Sequence, residues 1–122
     1  IKLSEIAIGI GPFVIEPAVS RKIGKTAFTE MTLTPTLWKT AQWAKEKGLY
    51  TEVFETIKLL DEHLKNFTHE LSTYNPEALV EMKKVFWEGT NHWENLLYER
   101  ASISGRLVLS NFTKQALEKF KK

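Results

Sequence analysis

One carboxylate stands apart in the amino-acid sequence. Glu5 lies inside an apolar segment, Leu3 to Val14, just ahead of a loop carrying Gly9, Gly11, Pro12 and Pro17. A carboxyl group in that setting either faces solvent along an exposed strand or projects into a cleft, where it can give and take a proton as a general acid–base. Residue types alone leave both open. Other chemistries find less support. The chain has no Cys and three histidines, and two of these, His63 and His69, fall on different faces of one expected helix, so no metal site is expected. Gly9-Ile10-Gly11-Pro12 holds two glycines of a dinucleotide-binding fingerprint, but the third is missing and Pro12 stands where the phosphate-binding helix should open. The four tryptophans are not spaced as a stacking platform for bases or sugars, which favours core or subunit-contact roles for them. The closing Lys119-Phe120-Lys121-Lys122 is either a solvated tail or a cationic end able to hold an anion.

Composition narrows the rest. With 122 residues, 43% of them hydrophobic and 26% charged, the chain has the make-up of one ordinary globular domain. Lys and Arg number 17 against 15 Asp and Glu, a net charge of +2, and no basic block is dense enough to follow a phosphate backbone, so nucleic acid is not an expected partner. No run approaches the roughly 20 apolar residues of a membrane helix, and Ile1-Lys2-Leu3-Ser4-Glu5 lacks the order of a signal peptide. Together with the absence of Cys this reads as a cytoplasmic protein with no membrane partner. The chain opens at Ile1 in a strand-like stretch, as a fragment would.

The elements that must position Glu5 follow from periodicity and punctuation. Leu3 to Val14 predicts a short strand running into a constrained loop. Pro17 suits the first turn of a helix that Gly24 stops, and Lys25 to Leu33 predicts a second helix closed by Thr34-Pro35-Thr36. Trp38, Ala41 and Ala44 mark a short third helix ended by Gly48, and Leu49 to Phe54 alternates as a strand would. Ile57, Leu60, Leu64, Phe67 and Leu71 step by three and four along the clearest helix. Asn75-Pro76-Glu77 opens another that runs toward Trp87, Gly89 breaks it, His92 to Leu109 carries a further stripe, and Ser110 caps a last helix. The expectation is a mostly helical chain with one or two short strands near its start.

Taken in order, several of these features resemble the C-terminal half of the enoyl-CoA hydratase/isomerase, or crotonase, superfamily. The residues that carry the resemblance are Ser4-Glu5-Ile6, Gly9, Pro12, Arg21-Lys22-Ile23-Gly24, Ala27, Leu33-Thr34, Ala41, Ala44, Gly48-Leu49, Val53, Leu60, and Asn75-Pro76-Glu77-Ala78 followed by Lys83. They span nearly the whole chain. The spacing of Gly9, Gly11, Pro12, Pro17 and Arg21-Lys22-Ile23-Gly24 is similar to the methylglutaconyl-CoA hydratase branch, which also lacks the paired glycines many members have after the loop proline. Ser4 stands in place of the usual proline, and Glu16 is outside the family pattern.

The resemblance implies an α/β crotonase-like fold, a ββα spiral, of which residues 1–55 would be the end of the core and 56–122 a helical region for packing and oligomerisation. It implies acid–base catalysis on an acyl-CoA thioester, with coenzyme A as part of the substrate and no separate cofactor. Glu5 would be the catalytic acid. Ile6, Gly9, Gly11, Pro12 and Phe13 would shape the acyl pocket, although a tight strand-to-helix turn explains the same residues; Glu16 would lie near the substrate, and Lys119 and Lys121 would reach the CoA phosphates. The second glutamate and the oxyanion hole belong to an N-terminal half that these residues do not match, so the chain alone is expected to be inactive. A homotrimer or hexamer is the implied assembly. Decarboxylation or thioester hydrolysis on the same fold, and a non-catalytic helical interaction module, are the competing readings.

Overall fold

The computed structural model describes residues 1–119. Its elements are a 3₁₀ turn, Glu5–Ile8, followed by α1 (Glu16–Leu33), α2 (Ala41–Glu46), α3 (Ile57–Thr73), α4 (Pro76–Phe86), α5 (Trp93–Val108) and α6 (Asn111–Glu118). The helical expectation holds. No strand forms among the described residues, which corrects both expected strands. A strand needs a neighbour to pair its backbone groups. Here the Leu3 to Val14 segment pairs with itself instead, through Ala7 N–H to Ser4 O, Gly9 N–H to Ile6 O and Ile10 N–H to Glu5 O, each at 3.0–3.1 Å. Gly9, at φ 83°, closes that turn in a left-handed conformation that a residue with a Cβ adopts only at a cost. Leu49 to Phe54 is irregular, and Leu49 packs on the core.

The chain gathers into two compact units: Ile1–Thr51 joined by the chain from Trp93 onward, and Glu52–His92. α5 and α6 fall in the same unit as the beginning of the chain, and α3 and α4 form the other.

In the first unit, Ile23, Ala27 and Met31 recur at four-residue steps on α1 and bury with Leu3, flanked by Val19, Phe28, Trp43 and Leu49. Burying a side chain the size of Ile23 or Met31 contributes roughly 1.5–3 kcal/mol. The two helices expected on either side of Gly24 are both present within α1: Gly24, at φ 75°, ψ 160°, is non-helical and separates the two helical stretches. Thr40 caps α2 by accepting the Trp43 N–H at 3.0 Å, so this helix starts after Trp38 and Trp38 lies outside it. The 3₁₀ turn touches α1 and α6, and α6 touches α5.

In the second unit, Thr56 caps α3 and the Asn75 side chain accepts from Glu77 and Ala78 to start α4. No residue of either helix is buried. Ile57, from the stripe that predicts α3, and Phe86 of α4 are more than 60% exposed, so apolar side chains of both helices remain uncovered within this unit. The His63 ring lies 4.9 Å from the Phe54 ring, tilted to it by 44°, and 6.1 Å from the Phe67 ring, nearly parallel to it. No helix among the described residues is long and apolar enough to cross a membrane.

Candidate functional site

Glu5 opens the 3₁₀ turn, and its carbonyl holds the Ile10 N–H, so its backbone is fixed at both ends of the turn. The side chain is half-buried and lines a hollow of about 200 Å³ with Ile10, Gly11, Pro12, Phe13, Val14, Ile15 and Ser104. One carboxylate oxygen, Oε2, is buried and accepts no hydrogen bond. An acceptor withdrawn from water with no donor costs stability, as does the buried, unpaired Ser20 hydroxyl, and a catalytic role is one explanation for keeping such a group.

A second hollow of about 190 Å³ shares Gly11, Pro12 and Phe13 with the first and is completed by Ile6, Glu16, Phe28, Thr32 and Arg100. The loop after the 3₁₀ turn thus has one hollow on the Glu5 side and another on the Glu16 side. Gly11 permits this because the Phe13 ring folds back over it; a Cβ at Gly11 would sit 2.5 Å from the Phe13 Cζ. Glu16, in the first turn of α1, forms an ion pair with Arg100 of α5 at 3.6 Å.

Of the residues singled out in the sequence, Glu5, Ile6, Gly11, Pro12, Phe13 and Glu16 are gathered around these two hollows. Gly9 is not. Its close approach is to α6, where a Cβ would meet Phe112 Cδ1 at 2.5 Å and Thr113 Oγ1 at 2.8 Å. Lys119 lies on a separate hollow of about 220 Å³ with Ala7, Phe112, Gln115 and Ala116. Lys121 lies outside the described residues.

Arg100 and Ser104 were not visible as site residues in the sequence. They are one helical turn apart on α5, where the Ser104 hydroxyl donates to the Arg100 carbonyl at 3.3 Å, but no local pattern ties that turn to Glu5 or Glu16. Phe28 and Thr32 of α1 were equally silent. No group of three or more His, Asp or Glu among the described residues is placed to hold a metal ion.

The chain matches no known protein-family model, and no curated protein matches it. Its function therefore rests on the residues themselves.

Proposed function

We propose that this chain carries the acid–base carboxylate and part of the acyl pocket of an enzyme of the enoyl-CoA hydratase/isomerase type, with a crotonase-like fold, acting on an acyl-CoA thioester such as methylglutaconyl-CoA. The observation that supports this most is the setting of Glu5: a carboxylate with an unpaired, buried oxygen on an apolar hollow walled by the Gly11-Pro12-Phe13 loop. In hydration, the Glu5 carboxyl delivers its proton to Cα of the enoyl thioester while water adds its oxygen to Cβ. The water's departing proton goes to a second carboxylate. Two backbone N–H donors on the thioester oxygen would stabilise the enolate-like charge, and losing one such donor costs on the order of a hundredfold in rate. The resemblance assigns the second carboxylate and these donors to the other half of the fold. In isomerisation Glu5 alone would move a proton between carbons, so its setting serves either reaction.

The test is hydration of short trans-2-enoyl-CoA thioesters, methylglutaconyl-CoA included, by the natural gene product and its Glu5→Gln variant. Turnover that falls about a hundredfold or more in the variant is expected for a general acid. A wild-type protein that hydrates none of them refutes hydration and sends the assays to decarboxylation and thioester hydrolysis.

A second reading has its own support. The uncovered apolar side chains of α3 and α4 suit contact with other polypeptide, either neighbouring subunits of a trimer or hexamer or, in a non-catalytic helical module, a different partner. A stable monomer that ignores CoA thioesters would favour the module.

A further inference from the structure

Ser104 brings the second polar side chain to the Glu5 hollow. The other walls, Ile10, Gly11, Pro12, Phe13, Val14 and Ile15, have side chains of hydrocarbon or none at all. Ser104 comes from α5, far along the chain, and is half-buried. Its hydroxyl donates to the Arg100 carbonyl at 3.3 Å, well beyond the usual length of about 2.7–2.8 Å for such a bond. A bond back to the preceding turn does not stabilise a helix, and alanine is the better helix former, so α5 itself has no need of a hydroxyl there. The bond uses the hydroxyl proton and leaves the Ser104 oxygen free to accept. Glu5 shows the matching need. Its Oε2 is closed off from water and unpaired, so Oε1 is the oxygen with which it can meet the hollow.

We propose that Ser104 is a positioning residue for Glu5: its hydroxyl oxygen anchors a water that donates one proton to Ser104 Oγ and the other to Glu5 Oε1. The inference rests on the acyl-CoA reading above. Two polar partners are enough to hold a water in an otherwise apolar setting, and the hollow of about 200 Å³ has room for it beside the reacting carbons. This water keeps both its protons and is not the one that adds to Cβ; the proton delivered to Cα remains that of Glu5. As that proton leaves, negative charge collects on a carboxyl whose Oε2 has no donor, and the bond from the anchored water to Oε1 strengthens. An interaction that grows toward the transition state acts on kcat and little on KM.

The experiment follows hydration of a short trans-2-enoyl-CoA by the natural gene product and its variants at position 104, with a melting temperature for each. Ser104→Ala is expected to lower kcat about tenfold, to leave KM within about twofold, and to keep or slightly raise the melting temperature. Ser104→Thr and Ser104→Val share a shape and differ in the hydroxyl, so the first should recover most of the lost kcat and the second none. Placed on Glu5→Gln, Ser104→Ala should lower the residual turnover no further, because no carboxylate is left to position. Equal turnover in Ser104→Thr and Ser104→Val, a loss carried by KM alone, or full additivity with Glu5→Gln overturns the inference while leaving hydration standing. A Ser104→Ala protein that melts lower or fails to fold assigns the hydroxyl to the fold and overturns it too. If the wild type hydrates no enoyl-CoA, the acyl-CoA reading and this inference fall together.

Discussion

Gly9 and Phe112 touch so closely that no side chain fits between them: a Cβ on Gly9 would lie 2.5 Å from Phe112 Cδ1. The contact joins the turn that begins with Glu5 to the start of α6, and beside it Thr113 is fully buried. Gly9 also needs its positive φ of 83°. Gly9→Ala therefore combines left-handed strain with overpacking, and should destabilise the first unit by about 2–4 kcal/mol. Urea unfolding followed by circular dichroism measures this, and an unchanged midpoint would show that α6 can move away without loss.

The Glu5 carboxylate should behave oppositely. Its buried, unpaired oxygen stabilises nothing, so Glu5→Gln is expected to keep or slightly raise the melting temperature while acid–base turnover falls. If thermal melting instead shows a loss of more than about 1 kcal/mol, the carboxylate is serving the fold and the catalytic assignment loses its main support.

At the start of α4 the Asn75 Oδ1 accepts from the Glu77 and Ala78 N–H groups at 2.9 and 3.4 Å. Asn75→Ala should cost about 1 kcal/mol of local helix stability, and Asn75→Asp should keep the cap. Because α4 buries no side chain, the effect should appear as faster amide exchange at Glu77 and Ala78. Unaltered exchange in Asn75→Ala would contradict this account of the cap.

Tyr74 donates its phenolic O–H to Glu70 at 2.7 Å. That bond, then loss of hydration, then the repulsion between phenolate and carboxylate all hold the phenol above its ordinary value of 10.0. The folded value is the raised one, so the stabilisation is complete below pH 10.0 and is lost as the pH climbs through the raised value. Tyrosinate absorbance, taken as the difference from Tyr74→Phe, should show Tyr74 titrating late and Glu70→Ala moving it back down. A midpoint insensitive to Glu70→Ala would rule the hydrogen bond out as the cause.

Most of the helices were legible in the residues, because the signals that start and stop them are local. Asn75-Pro76, Ser110 and the glycines at 24, 48 and 89 act on backbone groups within a turn of themselves, and the structure uses each near its expected place. The early strand was misread for the complementary reason. The apolar run from Leu3 to Val14 reports which side chains avoid water, while a strand exists only where another strand supplies the ladder, and here the backbone closes on itself through Gly9.

The candidate site divides along the same line. Glu5, Ile6, Gly11, Pro12, Phe13 and Glu16 are near neighbours in sequence, so one turn and one loop suffice to assemble them, and the residues alone pointed there. Which groups face them from the rest of the molecule was a matter of tertiary structure. Arg100 and Ser104 reach the hollows, and Phe112 reaches Gly9, only because α5 and α6 return to the beginning of the chain. The sequence by itself determined the helices, their caps and the local cluster around Glu5, since those depend on bonds spanning a few residues. Only the tertiary structure decided the ion-pair partner of Glu16 and the walls of the hollows, because contacts between distant segments depend on how the whole chain closes, and no local pattern encodes them.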